Sequence, residues 1–439
     1  MKRTIWHKLN DWKNKKYRKP LIIKGARQVG KTYILQEFGK SSFPDWHYFN
    51  FEDSKALSNI FEPDLDPKRI IRELSFYANK KINDQDLIIF DEIQNTPRAI
   101  TSLKYFHEQL PQMAICSAGS LLGIQLSNEA FPVGKVEFLF LNPMSFEEFL
   151  FAQKDLKSLE YLEECKTTHR IPDLVHNHLW EKLKIYFIVG GLPEVVKTYI
   201  DNKENLFHSL QQARKLQNNL ILTYLADIAK HSGKQNAMHL ERLLMNIPAQ
   251  LAKELNGSAS KFVFKGIVPG LSRYSRLAGS IDWLISAGLT VKCHIVNKGQ
   301  LPFSAYTKEN SFKLFLFDVG LLGAISGLPP KVILNYDYGS YKGYFAENYI
   351  AQEFICSGVL NLNCWNEGRA EVEFLREIDG DVIPIEVKSG WITQAKSLRV
   401  FADKYQPKYR VIFSGKTLNI DKKNRIHHYP LYLANKFPL

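Results

Sequence analysis

Eight residues constrain this chain more than any others: Gly25-Ala26-Arg27-Gln28-Val29-Gly30-Lys31-Thr32 fit Gly-x-x-x-x-Gly-Lys-Thr. A short apolar run, Leu21-Ile22-Ile23, precedes them. The segment from Thr32 to Phe38 reads as a helix with Gly39 as its cap. Strand, glycine-containing loop and helix together make a phosphate loop. Two glycines let backbone N–H groups curl around phosphate oxygens, and the helix N-terminus adds partial positive charge. In this reading Lys31 reaches the β- and γ-phosphates and the Thr32 hydroxyl holds Mg²⁺. Gly25, Ala26, Arg27, Gln28, Val29, Gly30 and Tyr33 complete the expected ATP contacts.

A second run, Leu87-Ile88-Ile89-Phe90, ends in Asp91-Glu92. So short an apolar run, bounded by Asn83-Asp84, predicts a buried parallel strand. Asp91 at its C-terminal end is expected beside the phosphate loop in the Mg²⁺ shell. Glu92 then polarises the attacking water, which makes the expected activity hydrolysis and not nucleotide holding alone. Further strands are expected at Trp46–Phe51, Ala114–Ser117 and Val136–Leu141, and helices at 66–81 and Arg98–Gln109. Strands alternating with helices predict a three-layer α/β domain around a parallel sheet. Ser117 or Ser120, at the end of the Ala114 strand, is a candidate γ-phosphate sensor or a turn residue.

The chain has 439 residues, enough for several domains, with 45% hydrophobic and 23% charged residues. Its net charge of +13 favours a polyanionic partner, DNA or an anionic surface. Nine cations against the single acid Asp11 fill residues 1–24, either as a contact for nucleic acid or as a solvated helix packed on the core. Cysteines 116, 165, 293, 356 and 364 form no CxxC pair, so a reducing cytoplasm is expected, with neither zinc nor disulfides. No apolar run approaches membrane-spanning length, and no signal peptide is expected.

Beyond residue 175 the pattern changes. Residues 176–235 read as helical, with Gly190-Gly191-Leu192-Pro193-Glu194 as a break. In 236–300, helices at Leu240–Ala252 and Leu271–Ile285 precede a strand, Val291–Val296, which suggests a winged helix. Arg273 and Arg276 then face a DNA groove, unless the segment serves only for packing. Residues 301–439 return to mixed α/β. There Asp379-Gly380 predicts a hairpin between Glu371-Val372-Glu373-Phe374-Leu375 and Ile383-Pro384-Ile385-Glu386-Val387-Lys388. Glu386 and Lys388, two apart on a strand, share one face. Glu373 on the neighbouring strand and Glu347 on a helix, 343–354, complete an acid, acid-x-Lys pattern of the kind found in metal-dependent nucleases.

The chain resembles the prokaryotic AAA-type ATPases that carry a C-terminal domain of unknown function with a restriction-endonuclease-like fold. The resemblance rests on the phosphate loop, Phe90-Asp91-Glu92-Ile93-Gln94, Ala118-Gly119-Ser120, Asn142 to Phe149, Gly190 to Glu194, Phe345-Ala346-Glu347-Asn348 and Pro384 to Lys388. It implies a P-loop NTPase core at 1–175, a helical lid at 176–235, a winged-helix-like segment at 236–300 and a restriction-endonuclease-like domain at 301–439. It also implies catalytic Lys31 and Glu92, metal ligands Thr32 and Asp91, and a nuclease-like set of Glu347, Glu373, Glu386 and Lys388. Many members have Asp where this chain has Glu373, and the longer arm moves any ion it holds. Many have Arg near Lys135, the candidate finger on a neighbouring subunit's ATP in a homo-oligomer. Lysine keeps that charge and loses the bidentate fork. The expected function is an ATPase driving a DNA-directed module. The alternatives are an ATP-regulated, metal-dependent nuclease and a nucleotide-controlled switch that binds a protein partner.

Overall fold

The computed structural model describes residues 3–439 apart from 53, 120–130, 169, 256–260, 337–338, 340, 369 and 392–394. They divide into two compact units: residues 1–142 with 286–288, and residues 143–285 with 289–439.

The first unit is built on a five-stranded parallel sheet. Its strands are β1 (Leu21–Lys24), β2 (Trp46–Asn50), β3 (Leu87–Asp91), β4 (Ala114–Gly119) and β5 (Glu137–Phe140), in the order β2-β3-β4-β1-β5. β3 and β4 are buried along their whole length, as expected for parallel strands covered on both faces. One core cluster gathers Phe49, Phe51, Phe61, Phe90 and Phe106 with Ile88 and Ile115. The rings of Phe51, Phe61 and Phe90 meet edge-on or tilted, with centroids 5.5–5.9 Å apart. The basic N-terminal segment forms a helix, Ile5–Lys13, that buries Ile5, Leu9 and Trp12. Of the two readings of that segment, packing is the one its buried stripe displays.

The helix after the phosphate loop runs Lys31–Ser42, longer than expected. Gly39 lies inside it and is not its cap. A Cβ there would stand 2.8 Å from the Trp46 Cβ, so the glycine lets the helix lie close against the start of β2.

The second unit contains an eight-stranded mixed sheet. Its strands are β6 (Thr290–Val296), β7 (Thr307–Leu316), β8 (Leu362–Glu367), β9 (Ala370–Ile378), β10 (Asp381–Val387), β11 (Arg410–Ser414), β12 (Asn419–Asp421) and β13 (Ile426–Pro430). Their order is β12-β13-β11-β10-β9-β8-β6-β7. β9 and β10 form the expected hairpin, and its turn places Asp379 at φ 52° and Gly380 at φ 85°. Two successive positive φ values suit the right-handed twist of a two-residue hairpin. The strand expected as a wing, β6, is an interior strand. It pairs antiparallel with β7 and parallel with β8. The expected boundary at residue 300 therefore falls inside one sheet.

The region expected as a helical lid holds helices Asp173–Val189, Pro193–Asp201 and Leu206–Ser232. The expected first boundary at 175 also moves, because residues 143–175 pack with the second unit. Met144 N donates to Gly191 O at 2.6 Å, and Phe146 N donates to the buried Glu353 carboxylate at 3.0 Å. A Cβ on Gly191 would lie 2.2 Å from Met144 O, which excludes any side chain there. Asp318, fully buried, accepts from Gly191 N at 2.6 Å and from Leu321 N at 2.9 Å.

Burial raises the Asp318 pKa to about 6, against the pull of those backbone donors and Arg214. The unfolded chain ionises near 3.8, so between pH 3.8 and 6 the unfolded state sheds a proton that the fold retains. Stability from this group is therefore full below pH 3.8 and falls as pH rises through 6, by on the order of 3 kcal/mol. The difference in unfolding free energy between wild type and Asp318→Asn should shrink by about that amount from pH 4 to pH 7. Denaturant titrations at several pH values check this, and a pH-independent difference would count against a buried, late-ionising Asp318.

Candidate nucleotide site and a second acidic cluster

The phosphate loop sits at the C-terminal end of β1. Gly25 is required by close approach: a Cβ there would lie 2.2 Å from Leu141 O. Gly30, at φ 93°, precedes the helix in a left-handed conformation that favours glycine. Ala26 and Val29 are buried, Gly30 and Arg27 are half-buried, and Gln28 is exposed with φ 65°. Arg3, which the sequence did not single out, donates to Val29 O at 3.0 Å and to Asn142 O at 2.6 Å, so the N-terminal segment braces the loop.

Lys31 is buried. Its Nζ donates to Gly25 O at 2.9 Å and Ala26 O at 2.8 Å, so the ammonium lies inside the curl of its own loop. Burial lowers its pKa to about 8, and nearby Glu92 and Asp91 only partly offset this. Thr32 Oγ1 donates to Asp91 Oδ2 at 2.6 Å. The sheet order makes that contact informative, since β4 stands between β1 and β3 and the bond reaches across it. Tyr48, on β2, donates to the same Oδ2 at 2.8 Å, and Glu92 N donates to Oδ1 at 3.1 Å. Tyr48 lies on a strand that was legible, but an aromatic in an alternating strand carries no signal of this role.

Glu92 adopts a left-handed conformation, φ 48° and ψ 40°, uncommon for a residue with a side chain. Buried Gln94 donates its Nε2–H to the Glu92 carboxylate. The turn thus displays Glu92 beside Asp91 instead of continuing the strand. Tyr33 is exposed, on the first turn of the helix. Lys135 pairs with Glu108 of the same chain at 3.0 Å. Ser120 lies outside the described residues, and Ser117 is wholly buried. A hydroxyl and a carboxylate oxygen side by side are hard donors of the kind Mg²⁺ prefers, so the Thr32 and Asp91 pair fits that ion.

In the second unit Glu373 and Glu386 face each other across the β9–β10 hairpin, one step beyond the pair Ile385 and Phe374. Like charges directly opposite each other destabilise a sheet. Lys388 Nζ lies 2.5 Å from Glu386 Oε1, while Glu386 Oε2 is buried with no hydrogen-bond partner among the described residues. Buried Lys313, on β7, pairs with Glu371 and lies 3.6 Å from Glu347 Oε2. Glu371 opens the expected acidic strand, while Lys313, on a strand far from the motif, carries no signal of this role.

The four expected residues share one electrostatic neighbourhood. Burial and then Glu386 and Glu347 push the Glu373 carboxyl well above the carboxylate range. Glu373 as a residue is half-buried, yet its carboxyl group is enclosed. Burial likewise raises Glu347, against the pull of Lys313. Burial works against the Lys388 charge, but Glu373, Glu386 and Glu347 outweigh it and hold its pKa above the usual lysine value.

Residues 17–150 match a family model described as an AAA domain. The phosphate loop and the Asp91 strand both lie inside this match to an AAA domain. Residues 180–332 and 342–433 match two domains of unknown function, DUF8612 and DUF4143. No curated protein matches the chain. Among solved structures, the chain is similar to a Walker-type ATPase of Pyrococcus abyssi, at 13% identity and TM-score 0.45, over 73% of this chain and 94% of that one. It is also similar to a chain in the structure of Drosophila ORC bound to DNA, at 15% identity and TM-score 0.27, over 74% of this chain and 93% of that one. Among the described residues, no helix is long and apolar enough to cross a membrane.

The AAA domain's loop depends on Gly25 having no side chain. Gly25→Ala must displace either the loop or Leu141, so ATP affinity should fall at least tenfold, about 1.4 kcal/mol, while the second unit's melting is unchanged. Isothermal titration with ATP checks this, and wild-type affinity would show that the loop tolerates the shift.

Proposed function

We propose that this chain binds Mg²⁺-ATP at the AAA domain, hydrolyses it, and uses the cycle to drive a DNA-directed C-terminal module. The observation that carries the reading is the 2.6 Å bond from Thr32 Oγ1 to Asp91 Oδ2, with Glu92 displayed beside it. Thr32 and Asp91 hold the metal, which when bound neutralises phosphate charge. Lys31 exchanges its two loop carbonyls for phosphate oxygens, and the amides of residues 25–31 bind the remaining oxygens. Glu92 orients water for attack and accepts its proton. The +13 net charge supports a polyanionic partner, which this reading takes to be DNA in the cytoplasm.

Lys31→Ala should lose ATP binding by tenfold or more. Glu92→Gln should keep affinity within about threefold and lose turnover by roughly 100-fold or more. Calorimetry and phosphate release measure both. Unchanged turnover in Glu92→Gln would remove the residue from its role.

The opposed carboxylates Glu373 and Glu386 favour a second reading, in which the C-terminal module cuts DNA under ATP control. The orphaned Glu386 Oε2 fits a divalent cation held with Glu347 and Glu373, whose chemistry is to polarise a phosphodiester, while Lys388 orients water. Purified protein with Mg²⁺ or Mn²⁺ should nick linear or branched DNA, and Glu386→Ala should abolish it. A wild type that binds ATP and cuts nothing would leave the cluster a binding element.

A further inference from the structure

Beyond the acidic cluster the strands β10 and β11 run on into loops that line a cavity of about 1020 Å³. That is the upper end of the range for ligand-binding pockets, about 300–1,000 Å³. Its walls carry Arg170, Lys416, Lys422, His176, His428 and Trp391. Trp391 follows Lys388 by three positions, and Gly415 N donates to Gly390 O at 3.1 Å, which ties the two loops together. The cavity is therefore lined in part by the loop that follows the strand carrying Glu386.

Two properties of these walls select a ligand. The first is charge. Three permanent cations face one lining carboxylate, Asp173. His428 adds a half-buried ring whose Nδ1 has no hydrogen-bond partner among the described residues. The second is an exposed indole. Trp391 is 54% exposed, although burying a tryptophan is among the larger gains a fold can make. Its ring is held in place at 5.6 Å from His176 and 5.9 Å from Trp180, so it is a supported platform. Cations that follow a phosphate backbone, combined with a fixed aromatic face, are how proteins hold single strands, whose bases are free to stack. A duplex keeps its bases stacked on one another and gives such a platform nothing to receive.

We propose that this cavity binds single-stranded DNA, with a base stacked on Trp391 and the backbone phosphates held by Arg170, Lys416 and Lys422. The inference deepens the DNA-directed reading above and rests on it. It places an unpaired strand on the loop that continues the β10 strand of the acidic cluster, so the preferred substrates are ends, gaps, forks and displaced strands.

The test is fluorescence anisotropy of the full chain with labelled oligo(dT) of about 12 nucleotides, a blunt duplex and oligo(U). The variants are Trp391→Ala, Trp391→Phe and the double change Lys416→Ala with Lys422→Ala. Oligo(dT) should bind more tightly than the duplex. Trp391→Ala should weaken it roughly 5- to 150-fold and Trp391→Phe should restore most of the loss. The lysine double variant should flatten the dependence of log affinity on log salt by roughly 1.4. Retained ATP binding and an unchanged melting temperature show that the variants are folded. Wild-type DNA binding that all the variants keep would overturn the cavity assignment and leave the DNA-directed reading standing. A wild type that binds no DNA at all would remove both. Variant-sensitive binding that prefers the duplex or oligo(U) would overturn the assignment to single-stranded DNA.

Discussion

Asp91 is the fixed point of the first unit's working end. Its two oxygens accept from Thr32 at the end of the phosphate loop, from Tyr48 on the neighbouring strand and from the backbone of Glu92. A polar group buried at a strand end is stable only when such donors replace water. Those donors come from three separate stretches of chain. Through this one group the loop, β2 and the turn at Glu92 are held in mutual register, and the rest of the sheet only has to deliver β1 and β3 to its two sides.

How much of this was legible depends on how far apart the partners are in sequence. The loop, the Asp91 strand and the Asp379-Gly380 hairpin announce themselves because their chemistry is local: glycine for a tight curve, an apolar run for a buried strand, two positive φ angles for a hairpin. Glu347, Glu373, Glu386 and Lys388 were readable as a pattern and do lie in one electrostatic neighbourhood. The roles of Tyr48, Arg3 and Lys313 were not readable. Each acts on a partner distant in the chain, and nothing in a tyrosine or a lysine marks the strand it will meet.

Gly39 shows the opposite error. Position suggested a helix cap, a local explanation, but the cause is a tryptophan seven residues on that must pass within contact of the helix. The same lesson holds for Gly190-Gly191. It reads as a helix break, and it is one, yet both glycines are dictated by distant residues: the Asp318 carboxylate occupies the space a side chain on Gly190 would need, and the Met144 backbone that of Gly191.

The eight-stranded sheet crosses the seam between two inherited segments. β6 and β7 lie within the 180–332 match, and β8 to β13 within the 342–433 match, yet β6 and β8 are hydrogen-bonded neighbours in one ladder. A fragment cut between the matches would leave β8 with a bare row of N–H and C=O groups, the surface that drives strands of separate molecules to pair. The two segments are thus obligate companions. A truncation that separated them would expose an unpaired strand edge on each piece.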